Sequence, residues 1–136
     1  HLKKVSTMRI ARKCREEVLV HARGEYPREC CGLLGGKGEA TRVYRGRNVA
    51  GGEAEYHLDP GDQLMLFNLL EREGLDLLGI YHSHPRWPAA PSAVDIERAF
   101  YPVPHLIVSL LDPRRPEVRA WRIEGSEVRE EAVEVI

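Results

Sequence analysis

Apolar residues recur at steps of four along residues 10–23, the spacing that places side chains on one face of a helix. The stripe consists of Ile10, Cys14, Val18 and Ala22, widened by Leu19 and Val20. Gly24 and then Pro27 end the periodic segment, as expected at a helix C-terminus. The pattern therefore predicts an amphipathic helix over residues 10–23.

Two further helices are predicted by the same kind of pattern. The longer one starts at Asp59-Pro60-Gly61-Asp62, a typical helix N-terminus, and ends at Gly74. Its predicted inward face consists of Leu64, Leu66, Phe67, Leu69 and Leu70. A third, short helix is predicted from Ser92 to about Phe100, after a proline-rich stretch that excludes regular structure.

Short apolar or alternating runs bounded by Gly and Pro predict the strands. In chain order they cover residues 30–36, 41–45, 75–81, 105–111, 118–123 and 128–136, with a short extended piece at 56–58. The first two are expected to form a hairpin. The predicted fold class is α/β: one domain with a mixed central sheet, flanked by two long helices, plus one short helix.

Composition narrows the class of protein further. The 136 residues suffice for one domain with its own core, and a net charge of −1 provides no basic surface for nucleic acid. No apolar run reaches the roughly 20 residues that span a bilayer, and the N-terminus lacks the apolar segment of a signal peptide. We therefore expect a cytoplasmic domain over residues 8–136, with residues 1–7 an added or disordered N-terminus. Scarce Asn and Gln fit a thermophilic prokaryote or a GC-rich genome.

The three cysteines, Cys14, Cys30 and Cys31, do not form the framework of a disulfide-rich secreted protein. Adjacent residues on a strand point to opposite faces, so Cys30 and Cys31 are a poor metal-binding pair. Buried free thiols are the expectation for all three.

The strand over residues 75–81 runs directly into His82-Ser83-His84, where the candidate chemistry is concentrated. Side chains alternate along a strand, so His82 and His84 project from the same face while Ser83 points away. Their backbones are then roughly 6.6 Å apart. Two imidazoles at this spacing can share one zinc ion, each nitrogen at about 2.0–2.1 Å from it.

Asp95 falls in the first turn of the predicted third helix, where its carboxylate could supply a third, anionic ligand. Three protein ligands leave one coordination position of zinc for a water, which is the arrangement of hydrolytic sites. Such a site also needs a general base and a donor to the developing oxyanion. The hydroxyl of Ser92 can donate, whereas the spacing selects no particular glutamate as the base.

Each of these residues also has a purely structural interpretation. Ser92 and Asp95 match a helix capping box, and His82 and His84 could be hydrogen-bonded histidines at the end of a strand. The two interpretations of Ser92 are compatible, because its backbone can open the helix while its hydroxyl faces the ion. The coincidence of two same-face histidines, a restricted loop, and Ser plus Asp at a helix start favours the metal site.

The pattern His82-x-His84-Pro85-x5-Pro91-Ser92-x-x-Asp95 resembles the complete signature of the JAMM (MPN+) metalloprotease family. Upstream, residues 27–36 (PRECCGLLGG) are similar to the family's first motif, in which a glutamate precedes a CGLL-type strand. The similarity runs from about residue 8 to about residue 111. In its length, the chain resembles the short stand-alone prokaryotic members of the family rather than the long eukaryotic subunits.

The resemblance implies a single JAB1/MPN-like domain with one catalytic Zn²⁺ bound by His82, His84 and Asp95. It also implies that Glu29 deprotonates the attacking water and passes the proton to the leaving amine, and that Ser92 stabilises the oxyanion. Without the resemblance, Glu29 would be interpreted as a solvated carboxylate at a strand edge. The role of Glu29 therefore depends on the family alone.

The implied reaction is hydrolysis of isopeptide or peptide bonds after the C-terminal Gly-Gly of a ubiquitin-like protein of the sulfur-carrier type. The target would be a protein lysine, or an amino acid such as cysteine released from the carrier. A metal-binding scaffold without activity and a zinc hydrolase of a small molecule are the alternatives. Deamination is disfavoured, because zinc deaminases pair their other ligands with a C-x-x-C that this chain lacks.

The expected partner is a ubiquitin-like or sulfur-carrier protein whose extended tail pairs with a strand edge. Candidate edges are residues 51–58 and the surroundings of Trp87, which would pack on the tail or anchor its own loop. His57 would line the groove or be an ordinary polar residue, and His21 and His105 are expected to be structural. Neither nucleic acid nor a membrane is an expected partner, and the oligomeric state is open, with a homodimer as one option.

Overall fold

The computed structural model describes residues 7–50, 54–99 and 101–136. Its elements are β1 (Thr7–Ile10), α1 (Arg12–Glu25), β2 (Cys31–Lys37), β3 (Glu39–Gly46), α2 (Pro60–Arg72), β4 (Asp76–His84), α3 (Ala93–Glu97), β5 (His105–Ser109), β6 (Glu117–Glu124) and β7 (Glu127–Val135). Predictions for the first six residues, and for residues 51–53 as part of a candidate edge, lie outside the described residues. The third helix ends at Glu97, so the prediction that it extends to about Phe100 is wrong.

The seven strands form one mixed sheet that closes into a barrel in the order β1-β3-β2-β4-β5-β6-β7. β1 pairs in parallel with both β3 and β7, and β4 pairs in parallel with β5. The remaining pairs are antiparallel, including the predicted β2–β3 hairpin. The α/β class with a mixed central sheet, two long helices and one short helix is confirmed, whereas closure into a barrel was not predicted.

Residues 7–10 form strand β1, so the prediction that the first helix begins at Ile10 is wrong. Met8 and Ile10 are buried and alternate with exposed neighbours, which is the period of a strand. Ile10 is nevertheless four residues before Cys14, and a buried strand end before a helix produces the same spacing as a helical stripe. The helix itself runs from Arg12 to Glu25, and Val20, predicted inward, is 57% exposed.

Helix α2 begins and ends where the sequence predicts. The carboxylate of Asp59 accepts a hydrogen bond from the backbone N–H of Asp62, and Pro60 occupies the first turn. Leu66 and Leu70 are buried one turn apart, but Leu64 is 66% exposed, so its predicted inward position is wrong. Leu64 is two residues from Leu66, about 200° around the helix, and therefore cannot share its face.

Strand β2 separates two apolar layers, because adjacent strand residues point to opposite faces. Leu34 packs in a cluster with residues of α1, such as Val18, whereas Leu33 packs with Leu66 and Leu70 of α2. Ile80 of β4 belongs to the α2 layer, and His82 and His84 continue the same face of that strand. The candidate site therefore lies on the α2 side of the sheet.

No helix within the described ranges is both long and apolar enough to cross a membrane. All three cysteines, Cys14, Cys30 and Cys31, are free and buried, as expected.

Candidate metal centre

Strand β4 ends at the two histidines of the motif, between β2 and β5. The Nε2 atoms of His82 and His84 are 3.1 Å apart, and both side chains are buried. Ser83 points the other way, where its Oγ accepts a hydrogen bond from the backbone N–H of Cys30 at 2.8 Å. The alternation of the strand thus places both imidazoles on one face and removes the serine from it.

Asp95 brings a carboxylate oxygen to the same point. Its Oδ2 lies 3.1 Å from His82 Nε2 and 3.0 Å from His84 Nε2. The same Oδ2 accepts from the backbone N–H of Ser92 at 2.9 Å, and Ser92 Oγ accepts from the N–H of Asp95 at 3.1 Å. The capping box and the carboxylate that faces the histidines are therefore one arrangement, in which the helix start fixes the direction of the Asp95 side chain.

The loop between β4 and α3 is held by three consecutive carbonyls. Trp87 O accepts from Ser109 Oγ, Pro88 O accepts from His84 Nδ1 at 2.8 Å, and Ala89 O accepts from Trp121 Nε1 at 2.8 Å. A proton on His84 Nδ1 leaves the lone pair of the neutral ring on Nε2, facing His82 and Asp95. The sequence predicted neither Ser109 nor Trp121 as part of this support. A tryptophan on a half-buried strand needs a partner for its N–H, but the partner is decided by the fold.

The donor set fits a divalent metal ion such as zinc. When both imidazoles are neutral and His84 carries its proton on Nδ1, at most one proton, on His82 Nε2, is available for three atoms within 3.1 Å of one another. Ligand atoms about 2.0–2.1 Å from a tetrahedral zinc ion stand about 3.3 Å apart, close to these separations. A cation bound between these three atoms would accept the lone pairs that have no proton to share.

Charge and burial oppose each other in this cluster. Burial would raise the pKa of Asp95, but the hydrogen bonds with His82 and His84 outweigh it and hold that pKa well below its usual range. Burial lowers the pKa of His82. Burial also acts to lower the pKa of His84, yet its hydrogen bond with Asp95 raises it overall. The cluster therefore keeps an ionised carboxylate against two imidazoles.

Glu29 lies beside this cluster, although it is more than fifty residues earlier in the chain. Its carboxylate and the ligand nitrogens of His82 and His84 all lie within 4.8 Å of one another. The residue is 1% exposed, so the interpretation as a solvated strand-edge carboxylate is wrong. Burial raises its pKa to about 8, and its Oε1 has no hydrogen-bond partner within the described part of the chain. Such a carboxyl group is suited to exchange a proton with a molecule that enters the site.

Ser92 remains available as a donor while it caps the helix. Its Oγ uses a lone pair to accept from the Asp95 N–H, which leaves the hydroxyl proton free to donate elsewhere. Its side chain is partly exposed at the edge of the cluster. The structure thus places together all five predicted site residues, which are Glu29, His82, His84, Ser92 and Asp95.

Tyr56 covers the outer face of the site and was not predicted as part of it. Its ring stacks on that of His82, with centroids 4.5 Å apart and planes 25° apart. It also lines a cavity of about 140 Å³ that extends beneath α2, together with Leu33, Leu58, Phe67, Ile80 and Tyr101. In sequence, Tyr56 is one aromatic residue in a short extended piece, and no local signal connects it with His82.

The remaining histidines and Trp87 have different surroundings. His21 is buried, and its Nδ1 lies 2.7 Å from the hydroxyl of Tyr81, which fits the expected structural role. His105 is buried at the cavity wall, and burial lowers its pKa to about 4. His57 is exposed at the same cavity, and the Trp87 side chain is 50% exposed although its carbonyl anchors the loop.

Comparison with known families and proteins places the chain in context. A family model described as prokaryotic homologs of the JAB domain matches residues 11–124. The chain is 37% identical over 123 residues to the CysO-cysteine peptidase of Mycobacterium tuberculosis, covering 88% of this chain and 84% of that protein. It is 36% identical over 138 residues to the desampylase of Haloferax volcanii, covering 96% and 97%. A probable TtuB-protein conjugate cleaving protease of Thermus thermophilus is 43% identical over 115 residues, covering 83% and 74%.

Solved structures agree with the architecture. The solution structure of protein DSY2949 from Desulfitobacterium hafniense superimposes with a TM-score of 0.87 at 36% identity, covering 96% of this chain and 93% of that one. A JAB1/MPN domain protein from Archaeoglobus fulgidus, AF2198, has the same fold, with a TM-score of 0.66 at 23% identity over 95% and 99% of the two chains.

Proposed function

Because the chain belongs to the family of prokaryotic homologs of the JAB domain, we propose that it is a zinc metallopeptidase. It hydrolyses the isopeptide or peptide bond after the C-terminal Gly-Gly of a ubiquitin-like protein of the sulfur-carrier type. The observation that carries this proposal is the meeting of His82, His84 and Asp95 at 3.0–3.1 Å beside the buried carboxyl group of Glu29. Three ligands of this kind leave one position open, as in catalytic zinc sites.

His82 Nε2, His84 Nε2 and Asp95 Oδ2 would hold the zinc ion. When bound, zinc supplies a Lewis acid that polarises the scissile carbonyl and makes a water nucleophilic near neutral pH. The Nδ1–H of His84 donates to the Pro88 carbonyl, which would leave the lone pair on Nε2 available to hold the ion. The capping box fixes the Asp95 carboxylate in the same way.

Glu29 handles the proton in this mechanism. Its carboxylate removes a proton from the attacking water and then delivers it to the nitrogen of the leaving amine. A nearby divalent cation favours the charged form of the carboxyl group, against the burial that raises its pKa. The hydroxyl of Ser92 donates a hydrogen bond to the oxyanion that develops on the scissile carbonyl.

The substrate tail must reach these groups from outside the barrel. Each of the seven strands pairs with two others, although β1 meets β3 only through the pair Ile10 and Ala40. The segment of residues 54–58 offers extended backbone next to the site, and Tyr56 of this segment stacks on His82. We expect the tail to run along this segment, where glycines allow close approach of two backbones.

The names of the relatives support both types of target. The desampylase and the conjugate cleaving protease favour removal of a modifier from a protein. The CysO-cysteine peptidase favours a second candidate function, the release of an amino acid such as cysteine from the carrier. The free thiols of Cys14, Cys30 and Cys31 suit a reducing compartment, and we assign the reaction to the cytoplasm.

One experiment tests both targets. The purified protein is stripped of metal, reloaded with zinc, and incubated with the ubiquitin-like proteins of its own host. Each carrier is joined through Gly-Gly to a reporter by a peptide bond, to a lysine side chain, or to cysteine. Mass spectrometry should detect a carrier that ends in Gly-Gly only in the zinc-loaded sample. Intact substrates in all three series, with zinc bound, would leave the scaffold interpretation instead.

A further inference from the structure

Asn48, two residues after β3, is buried and uses its whole side-chain amide on backbone groups. Its Nδ2 donates to the carbonyls of Glu29 at 2.9 Å and Glu55 at 3.2 Å. Its Oδ1 accepts from the N–H groups of Ala50 and His57, both at 2.9 Å. A primary amide has two N–H donors and two acceptor lone pairs, so all four are satisfied.

The orientation of this amide is determined by its partners. The Nδ2 side faces two carbonyl oxygens, which can only accept, and the Oδ1 side faces two N–H groups, which can only donate. A rotated amide would place oxygen against oxygen and N–H against N–H on both sides. Neither an aspartate nor an aliphatic side chain can make all four bonds.

These four bonds connect the chain segments of Glu29 and Tyr56, the two residues that contact or lie next to the histidines of β4. Glu29 carries the carboxyl group that lies next to His82 and His84. Glu55 and His57 are the immediate neighbours of Tyr56, whose ring stacks on His82. A single amide therefore holds the backbone of the proton-handling residue and both backbone flanks of the aromatic cover.

A second contact strengthens the same connection. The guanidinium group of Arg28, the residue before Glu29, donates to the carbonyls of Asn48 and Ala50, each at 2.7 Å. The backbone also pairs directly, because the N–H of Val49 donates to the carbonyl of His57 at 2.8 Å. The segment that carries Glu29 and the segment that carries Tyr56 are thus bound to each other with Asn48 between them.

We propose that Asn48 is a positioning residue of the hydrolytic site, which holds Glu29 and Tyr56 at fixed places relative to His82. This inference rests on the proposed function. A displacement of about 1 Å in a reacting group can cost on the order of 10²-fold in rate, so a residue without contact to substrate can still limit turnover. Asn48 makes its bonds to backbone, and it therefore acts on the position of Glu29 and Tyr56 rather than on their chemistry.

Two substitutions at Asn48 separate the two sides of the amide. Asn48→Asp keeps the acceptor for Ala50 and His57, but it loses both donors and places a carboxylate against the carbonyls of Glu29 and Glu55. Asn48→Ala loses all four bonds. Asn68 lies on the exposed face of α2, so Asn68→Asp and Asn68→Ala are the matched controls for the same chemical changes.

We expect kcat of the zinc-loaded protein to fall on the order of 10²-fold in both Asn48 variants, and KM to change far less. Asn48→Asp should be at least as slow as Asn48→Ala, and the Asn68 variants should match the parent protein. If Asn48 acts partly through Tyr56, combining Asn48→Ala with Tyr56→Ala should cost less than the product of the single losses. Rates are compared per folded molecule with zinc bound, so that lost stability does not count as lost turnover.

Amide hydrogen exchange tests the backbone contacts of Asn48 without relying on catalysis. In the metal-free protein, amide hydrogen exchange at Ala50 and His57 should accelerate in Asn48→Ala and stay close to that of the parent in Asn48→Asp. If the parent protein cleaves and both Asn48 variants keep its kcat, the inference is overturned. If the parent cleaves no substrate, the proposed function fails. Independently of cleavage, unchanged exchange at Ala50 and His57 in Asn48→Ala would show that Asn48 does not hold this backbone in place.

Discussion

The two halves of the site are built in different ways. The proposed metal-binding half consists of His82, His84 and Asp95, which lie within fourteen residues and are directed by a strand end and a capping box. The proposed proton-handling half consists of Glu29, which lies beside the histidines because β2 pairs with β4, and whose backbone carbonyl accepts a hydrogen bond from Asn48. Local geometry thus directs the proposed ligands, and long-range packing positions the proposed base. Metal binding and turnover should therefore respond to different substitutions.

The largest effect should follow from Asp95→Ala, which breaks the metal-binding half. The substitution removes the anionic ligand and one side of the capping box, so zinc occupancy and cleavage should be lost together. Metal content measured by mass spectrometry after dialysis, alongside turnover, checks this outcome. Asp62→Ala, in the first turn of α2, is the matched control for loss of a helix-start carboxylate. Full zinc content in Asp95→Ala would mean that Asp95 is only a capping residue.

Glu29→Ala should separate the two halves most clearly. General acid–base catalysis contributes about 10²–10⁴-fold, so turnover should fall by that factor while zinc content and folding remain. Glu25→Ala, at the end of α1, is the control for removal of a nearby exposed carboxylate. Turnover close to that of the parent in Glu29→Ala would assign the base to another residue.

Ser92→Ala should have an intermediate effect on turnover with little effect on zinc content. Losing one oxyanion donor costs about 10²–10³-fold in kcat. The same substitution removes a helix cap, typically worth about 1 kcal/mol of stability. Asp59→Ala removes the cap of α2 and serves as control, because it should lower the melting temperature without a comparable loss of kcat. An equal loss of kcat in both variants would reduce Ser92 to a capping residue.

The smallest effect should come from Trp121→Phe, which leaves the ligands in place and removes one support of their loop. The ring is retained, but the N–H that donates to the Ala89 carbonyl is lost. Outer contacts of metal ligands are worth about 10–100-fold in affinity, and Trp121 is one step further out, so we expect a loss of about tenfold or less. Competition with a zinc chelator measures the affinity. Trp87→Phe is the control, since that ring is half exposed, and equal affinities in both variants would refute the role of Trp121.

The sequence predictions were accurate where local geometry decides the structure and less accurate where long-range packing decides it. The period of β4 predicted the common face of His82 and His84, and the Ser92 and Asp95 spacing predicted a helix start. Pattern reasoning failed in two ways: at Ile10, where a buried strand end imitates a helical stripe, and at Val20 and Leu64, which are apolar but exposed. Both errors concern positions where hydrophobicity alone does not state which neighbour will cover the side chain.

The amino-acid sequence by itself determined the elements, the α/β class and the ligand-bearing motif, because alternation, helical periodicity and capping act between residues a few positions apart. Only the tertiary structure decided that the sheet closes through β1, that Glu29 is buried beside the histidines, and that Asn48, Tyr56 and Trp121 support the site. The partners in these contacts are mostly tens of residues apart, and a side-chain hydrogen bond to a distant carbonyl leaves no periodic trace in the chain. For this reason the spacing could predict that His82, His84 and Asp95 lie together, whereas the position of Glu29 required the fold.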